Sequence, residues 1–209
     1  MQGVTHEPMV DPMHDALAAL KRELERFGAE TDRATSNAAR RMLNITRDTG
    51  ELLAVLVRAM RARRVLEIGT SNGHSTLWLA QAVQAMAGQV ATVELAADKI
   101  ALARTTFARS GLAGFITLVH DDAGALLQRC ERHAFDLVFL DSERAHYPGW
   151  WPDLRRVLRP GGLLVVDNAT SHAEQMAGFV ATINADREFT TSLVPIGKGE
   201  VLAVKALGD

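Results

Sequence analysis

Two hydrophobic runs in this chain end abruptly on oxygen-bearing side chains. FDLVFLD (135–141) closes on Asp141, and GLLVVDN (162–168) closes on Asp167 and Asn168. Runs this apolar read as buried strands. A buried strand that delivers carboxylate or amide oxygens at its exit marks a site. Other exits follow suit: Glu67 in RVLEI (64–68), Glu94 closing VATVE (90–94), and Asp122-Ala123 just after FITLV (115–119).

The turn after the first of these strands has its own chemistry. In LEIGTSNGHST (66–76), Gly69 and Gly73 allow a tight turn and close approach of backbone to ligand. The spacing E-x-G-x-x-x-G is not the three-glycine pattern that packs around a dinucleotide pyrophosphate. Ser71, Ser75 and Thr76, with the amides of a helix N-terminus, instead suit a smaller anion such as a carboxylate. Glu94, about twenty residues on, suits a bidentate bond to ribose hydroxyls. An amino-acid carboxylate plus a ribose describes S-adenosylmethionine, with Asp122 and Ala123 at its adenine end.

These residues need a scaffold that gathers strand exits on one rim. Helical spacing covers 12–27, where Gly28 stops the pattern, and about 50–60, with Asp48 or Thr49 as cap. Strands at 64–68, 90–94, 115–119, 135–141 and 162–167 then alternate with helices at 74–87, 97–109, 122–132, 150–158 and 172–185. This pattern predicts a parallel sheet covered on both faces. Two closing strands, 188–194 and 200–206, are too close in sequence for a parallel crossover, so one must be antiparallel. Ligands in such sheets bind beyond the carboxyl ends of the strands.

Composition narrows the class further. The 209 residues allow one domain with a large core, 47% being hydrophobic and 23% charged. A net charge of −2 predicts neither nucleic acid nor anionic membrane as partner. Cys130 is the single cysteine, a half-buried helix residue in this reading, which fits a reducing compartment. No apolar run reaches the roughly 18 residues of a membrane span, and the N-terminus lacks a signal-peptide core. The expectation is a cytoplasmic single domain, 1–209, with 1–49 as a helical cover segment and 50–209 as a Rossmann-like core.

VLEIGTSNGHSTLWLA, VATVEL, HDDA, FDLVFLD, LRPGGLLVVDN and PIGKGEVLAVK together resemble the S-adenosylmethionine-dependent O-methyltransferases of the catechol and caffeoyl-CoA type. The resemblance spans roughly 42–206. NITRDTG (44–50) resembles the family segment that closes over the cofactor, through Asn44, Ile45 and Gly50. The resemblance implies a class I methyltransferase fold: seven strands, the last antiparallel, helices on both faces. It also implies that Asp141, Asp167 and Asn168 hold a divalent cation, Mg²⁺ first, with Ca²⁺ or Mn²⁺ as alternatives. This all-oxygen set suits such ions, and burying both carboxylates without one would be costly. A cation against both hydroxyls of a vicinal diol would lower the pKa of one for attack on the sulfonium methyl. Asp141 then serves cation, cofactor and catalysis together. Glu200 aligns with a family glutamate contacting the other acceptor hydroxyl, its alternative being an exposed strand residue. A homodimer and a small hydroxylated acceptor are implied as partners.

The chain departs from that pattern at Arg144, where catechol enzymes carry a lysine base. A guanidinium does not deprotonate at working pH, so Arg144 holds an anionic acceptor or pairs with Glu143. The base is then Asp141, His146, a metal-bound water, or needless for an acidic acceptor. His74 contacts cofactor at most. Trp150 and Trp151 wall a flat acceptor or pack the following helix. His14, His120, His133 and His172 read as surface or packing residues, and RARR (61–64) as a solvated loop. The competing readings are methyl transfer without a metal, a silent S-adenosylmethionine-binding module, and a nucleotide oxidoreductase, which the glycine spacing disfavours.

Overall fold

The computed structural model describes residues 12–208, with side chains from residue 15 onward. His14 and the N-terminal stretch 1–11 lie outside the described side chains, as does the expectation about a signal-peptide core. Seven strands make one sheet: β1 (Arg64–Ile68), β2 (Gln89–Glu94), β3 (Ile116–His120), β4 (Phe135–Leu140), β5 (Leu158–Val166), β6 (Phe189–Val194) and β7 (Glu200–Lys205). Their order is β3-β2-β1-β4-β5-β7-β6. Strands β1 to β5 pair in parallel, while β7 runs antiparallel to both β5 and β6. The expected fold class is therefore the observed one.

Helices α1 (Pro12–Ala34), α2 (Arg47–Ala59), α3 (His74–Gln84) and α4 (Ala97–Ser110) precede β3, and α5 (Ala123–Arg129), α6 (Tyr147–Val157) and α7 (Ala173–Ala185) follow it. The pleat divides the core. Leu137, Phe139, Leu163 and Val165 pack with α1, α2 and α3 on one face. Their neighbours Val138, Leu140, Leu164 and Val166 pack with α6 and α7 on the other. Alternate residues of a strand point to opposite faces, so both faces need apolar side chains. That is why these strands are continuously apolar.

Several boundaries differ from expectation for local reasons. Helix α1 continues through Gly28 to Ala34, because that glycine is a notch and not a stop. A Cβ there would lie 2.5 Å from Asn44 Nδ2, which donates to Leu24 O at 2.9 Å. Helix α2 is capped by Thr46, whose hydroxyl accepts from Thr49 N, and neither Asp48 nor Thr49 caps it. Helix α5 stops at Arg129 because the Arg156 guanidinium takes the carbonyls of Cys130 and Leu127 at 2.5 and 2.6 Å. Carbonyls of a helix's last turn lack the regular intrahelical partner. The RARR arginines are exposed, as expected, while Asp136 anchors their backbone by accepting from the Arg63 and Arg64 amides at 2.8 Å each and pairs with Arg159.

The sheet reverses order between β1 and β4, and there the two exits touch. Gly69 has φ +103°, and a Cβ on it would lie 2.0 Å from the Asp141 carbonyl oxygen. Asp141 N donates to Ile68 O at 3.0 Å, binding one exit to the other. Replacing Gly69 by Ala should therefore cost more than the 1–3 kcal/mol of backbone strain alone, since the contact is backbone that cannot step aside. Urea denaturation of Gly69→Ala is expected to show that loss. Wild-type stability would contradict the packing.

Candidate active site

A cavity of about 650 Å³ opens over the carboxyl ends of β1, β2, β3 and β4, within the usual range for small-molecule sites. At one end it is lined by Ser71, Ser75, Glu94, Asp122 and Ala123, and toward the other by Gly69, Asp141, Arg144 and Asn168. The segment 38–46 lies across it, contributing Asn44 and Ile45. Three contacts hold this cover. Asp32 accepts from the Met42 and Leu43 amides at 2.6 and 3.0 Å, Ser71 Oγ donates to Met42 O at 2.8 Å, and Asn44 is held on α1.

Glu94 is fixed by backbone amides. Its Oε2 accepts from Ser71 N and its Oε1 from Leu95 N and Ala96 N, each at 2.9 Å. The carboxylate thus faces the cavity with its remaining lone pairs oriented. Asp122 caps α5 through Ala125 N at 2.8 Å, which places a second carboxylate on the rim. Gly73 instead caps α3 in a left-handed conformation and admits Phe107. It serves the turn and does not line the cavity.

Glu67 also lies beneath the cavity wall. It is fully buried, and Thr76 and Thr92 hydroxyls donate to its Oε2 while Oε1 has no partner. Burial pushes its pKa up to about 7 against hydrogen bonds from Ser75, Thr76 and Thr92. His74, expected at most to touch cofactor, faces α1, 3.6 Å from Glu25. Burial first, and the Lys21 ammonium second, bring its pKa down to about 4. At neutral pH the ring is uncharged and that approach is not an ion pair.

The second cluster is built by topology. Strand β7 runs back along β5, pairing Val201 with Val166, so Glu200 starts its strand beside Asp167. Asn168 has φ +69°, and its Nδ2 donates at 2.9 Å to both Asp141 Oδ1 and Asp167 Oδ2. Glu200 Oε1 accepts from the Thr49 hydroxyl at 2.9 Å, and its Oε2 has no partner. Burial, then the Asp167 charge, raises the pKa of both Asp141 and Glu200. Glu200 is wholly buried and does not line the cavity. The exposed-strand alternative is therefore wrong, and direct contact with an acceptor is not what the geometry gives.

Tyr147 steadies the β4 exit. Its hydroxyl accepts from Ser142 N at 2.7 Å and donates to Ser142 O at 2.9 Å. The tryptophans divide their roles: Trp150 lines the cavity and stacks on His146 at 5.4 Å, whereas Trp151 packs on Phe179 and Phe189. Arg144 makes no ion pair with Glu143 among the described residues, and its Nε donates to Gln175 at 2.9 Å.

The O-methyltransferase family profile matches residues 20–206. The chain belongs to the O-methyltransferase family. It is therefore an S-adenosylmethionine-dependent O-methyltransferase, as the resemblance implied. A protein of Mycobacterium sp. (strain JLS) assigned as an O-methyltransferase is 33% identical over 174 residues, 77% of this chain and 79% of that one. TomG, the O-methyltransferase of Streptomyces achromogenes involved in tomaymycin synthesis, solved with S-adenosylmethionine, superposes with TM-score 0.72 at 25% identity. The match covers 94% of this chain and 91% of TomG. A Klebsiella pneumoniae protein with the same assignment gives TM-score 0.74 at 26% identity, over 95% and 92%.

Sequence reasoning missed Lys198, His172 and Arg41, which also line the cavity of this O-methyltransferase. His172, read as surface or packing, sits on the rim because Asn168 turns the chain back immediately after β5. Lys198 comes from the β6–β7 loop, whose return to β5 carries no spacing signal.

Glu67 gives a pH prediction. A carboxyl raised from 4.5 to about 7 keeps its proton longer in the folded state. Wild-type stability therefore falls as pH rises through that window, and Glu67→Gln, which has no charge to bury, does not follow. The variant should gain on wild type between pH 4.5 and 7, by on the order of 1–3 kcal/mol, and then level off. Denaturation midpoints at a series of pH values check this, and parallel curves would contradict it.

Proposed function

We propose that the enzyme methylates a hydroxyl of a small, aromatic vicinal diol with the aid of a divalent cation, Mg²⁺ first, held by Asp141, Asp167 and Asn168. The observation that carries this is the gathering of half-buried Asp141 with buried Asp167 and Glu200, Asn168 lying across the two aspartates. Burial and the Asp167 charge raise the pKa of Asp141 and Glu200, and positive charge placed there would relieve both. Among the described residues no three His, Cys, Asp or Glu side chains form a ligand group; in this proposal the Asn168 amide supplies the third oxygen. Exchanging the oxygen and nitrogen of the Asn168 carboxamide turns its oxygen to the point where Nδ2 now bridges the aspartates. The donors then fit a hard cation in kind and number, the rest of its sites being water and acceptor oxygens. Bound there, the cation supplies the charge that lowers the acceptor hydroxyl's pKa.

The chain's own residues do the remainder. Glu94 takes the ribose hydroxyls of S-adenosylmethionine, Ser71 and Ser75 face its amino-acid end, and Asp122 with Ala123 flank the adenine. The unpartnered Glu67 oxygen answers a donor from that amino-acid end. The His146–Trp150 stack walls the acceptor ring. Asp141 or His146 receives the hydroxyl proton, since Arg144 cannot. Segment 38–46 closes the site against water. The working unit in this proposal is one domain, 1–209, in a cytoplasmic homodimer with no nucleic-acid partner. Among the described residues no helix is long and apolar enough to cross a membrane.

The Asn168 bridge favours one alternative, in which Asp141 and Asp167 organise the acceptor without a metal. Chelation separates the two. With a simple catechol and S-adenosylmethionine, turnover should vanish in EDTA and return with excess Mg²⁺. Asp167→Ala should lower turnover at least a hundredfold while S-adenosylmethionine affinity changes less than about threefold. Turnover indifferent to EDTA would replace the metal reading with the alternative.

A further inference from the structure

The acceptor end of the cavity carries two cationic side chains that the reaction as described leaves unused. Lys198 is one. Its backbone carbonyl is fixed on the β5 exit by Thr170 N and Ser171 N at 3.0 Å each, and by the Thr170 hydroxyl at 2.5 Å. Gly199 permits this closeness, since a Cβ there would lie 2.3 Å from Thr170 Oγ1. From that fixed base the side chain reaches the cover segment, where Nζ meets Asn44 O at 3.5 Å. This long contact is its single hydrogen bond among the described residues. An ammonium has three donors, so Lys198 lines the cavity with donors to spare.

Arg144 is the other. Its Nε is spent on Gln175, but its two terminal nitrogens have neither a hydrogen bond nor an ion pair among the described residues. The guanidinium is half-buried and lines the same cavity. Opposing them are Asp141 and Asp167, which the proposed cation already engages, and Glu143, which is exposed. Glu200 is turned to the Thr49 hydroxyl. Both cations therefore face the acceptor's space with donors unpaired.

We infer that Lys198 and Arg144 select an acceptor bearing a carboxylate on its ring or side chain, in addition to the vicinal hydroxyls. This rests on the proposed diol methylation. It adds a specificity that the cation site alone does not have, because the oxygen donors read only the two hydroxyls. A charge held in a partly desolvated cavity discriminates strongly between an anion and its neutral isostere. Lys198 also links the anion to the cover, so an anionic acceptor in contact with it would help keep segment 38–46 closed.

The test compares 3,4-dihydroxybenzoate with 3,4-dihydroxybenzamide, which differ in charge and hardly in shape. The wild type should favour the acid at least tenfold in kcat/KM, and calorimetry on the S-adenosylhomocysteine-loaded enzyme should give the same order of affinities. Lys198→Met and Arg144→Gln should each shrink the acid-to-amide ratio toward one, mainly through KM, whereas Lys198→Arg should retain most of it. Equal turnover and affinity for acid and amide in the wild type would overturn the inference while leaving the diol reading intact. So would a Lys198→Met variant that loses both substrates equally through kcat with a shifted pH profile, since Lys198 would then act on the proton and not on the anion. Turnover of neither compound, with S-adenosylmethionine binding retained, would remove the diol reading itself.

Discussion

The mutual repulsion of three carboxylates is the constraint on which this structure turns. Asp141, Asp167 and Glu200 come from the exits of β4 and β5 and the start of β7, and the sheet leaves them little distance to separate. Burial raises the pKa of Asp141 and Glu200, and the Asp167 charge raises both further. The protein meets part of that repulsion with the Asn168 amide, the Thr49 hydroxyl and the nearby Lys198 and Arg144 charges. A cation would meet the rest. A cluster so costly to bury has no value to stability, which is why it reads as machinery.

The fold exists around that cluster in a quite literal sense. Gly69 lets the exits of β1 and β4 touch, which brings the cofactor turn against the acidic group. The antiparallel β7 returns Glu200 to Asp167, and its preceding loop returns Lys198 to the cavity. Glycines at 197 and 199 make room for Thr46, Thr49 and Thr170 where that loop packs. The turn after β1, the acidic group and the cavity mouth therefore meet through close backbone approaches. The cover segment, tied down by Asp32, Ser71 and α1, completes the enclosure.

Most of this was legible in the chain, for identifiable reasons. Buried parallel strands must be apolar on both faces, so their polar exits stood out, and Asp141, Glu94 and Asn168 were found where strand exits belong. The short link between the last strands required an antiparallel partner. What failed were inferences from local punctuation. Gly28 resembled a helix stop but is a packing notch for Asn44, and Asp48 resembled a cap where Thr46 performs that role. His74 sits in the turn after β1 by sequence, yet α1 claims it. Glu200 could be read as exposed because strand periodicity does not reveal which neighbour covers a strand's first residue. Lys198 and His172 join the site through loop returns, which leave no mark in spacing.

The most direct test of the cation site counts metal without asking for catalysis. Mn²⁺ titrated into the S-adenosylmethionine-loaded enzyme, followed by electron paramagnetic resonance, should show one ion bound per chain. Asp141→Asn should weaken that binding at least tenfold. Binding of no ion by the wild type, or binding unchanged in the variant, would contradict the proposal that Asp141, Asp167 and Asn168 are brought together to hold one.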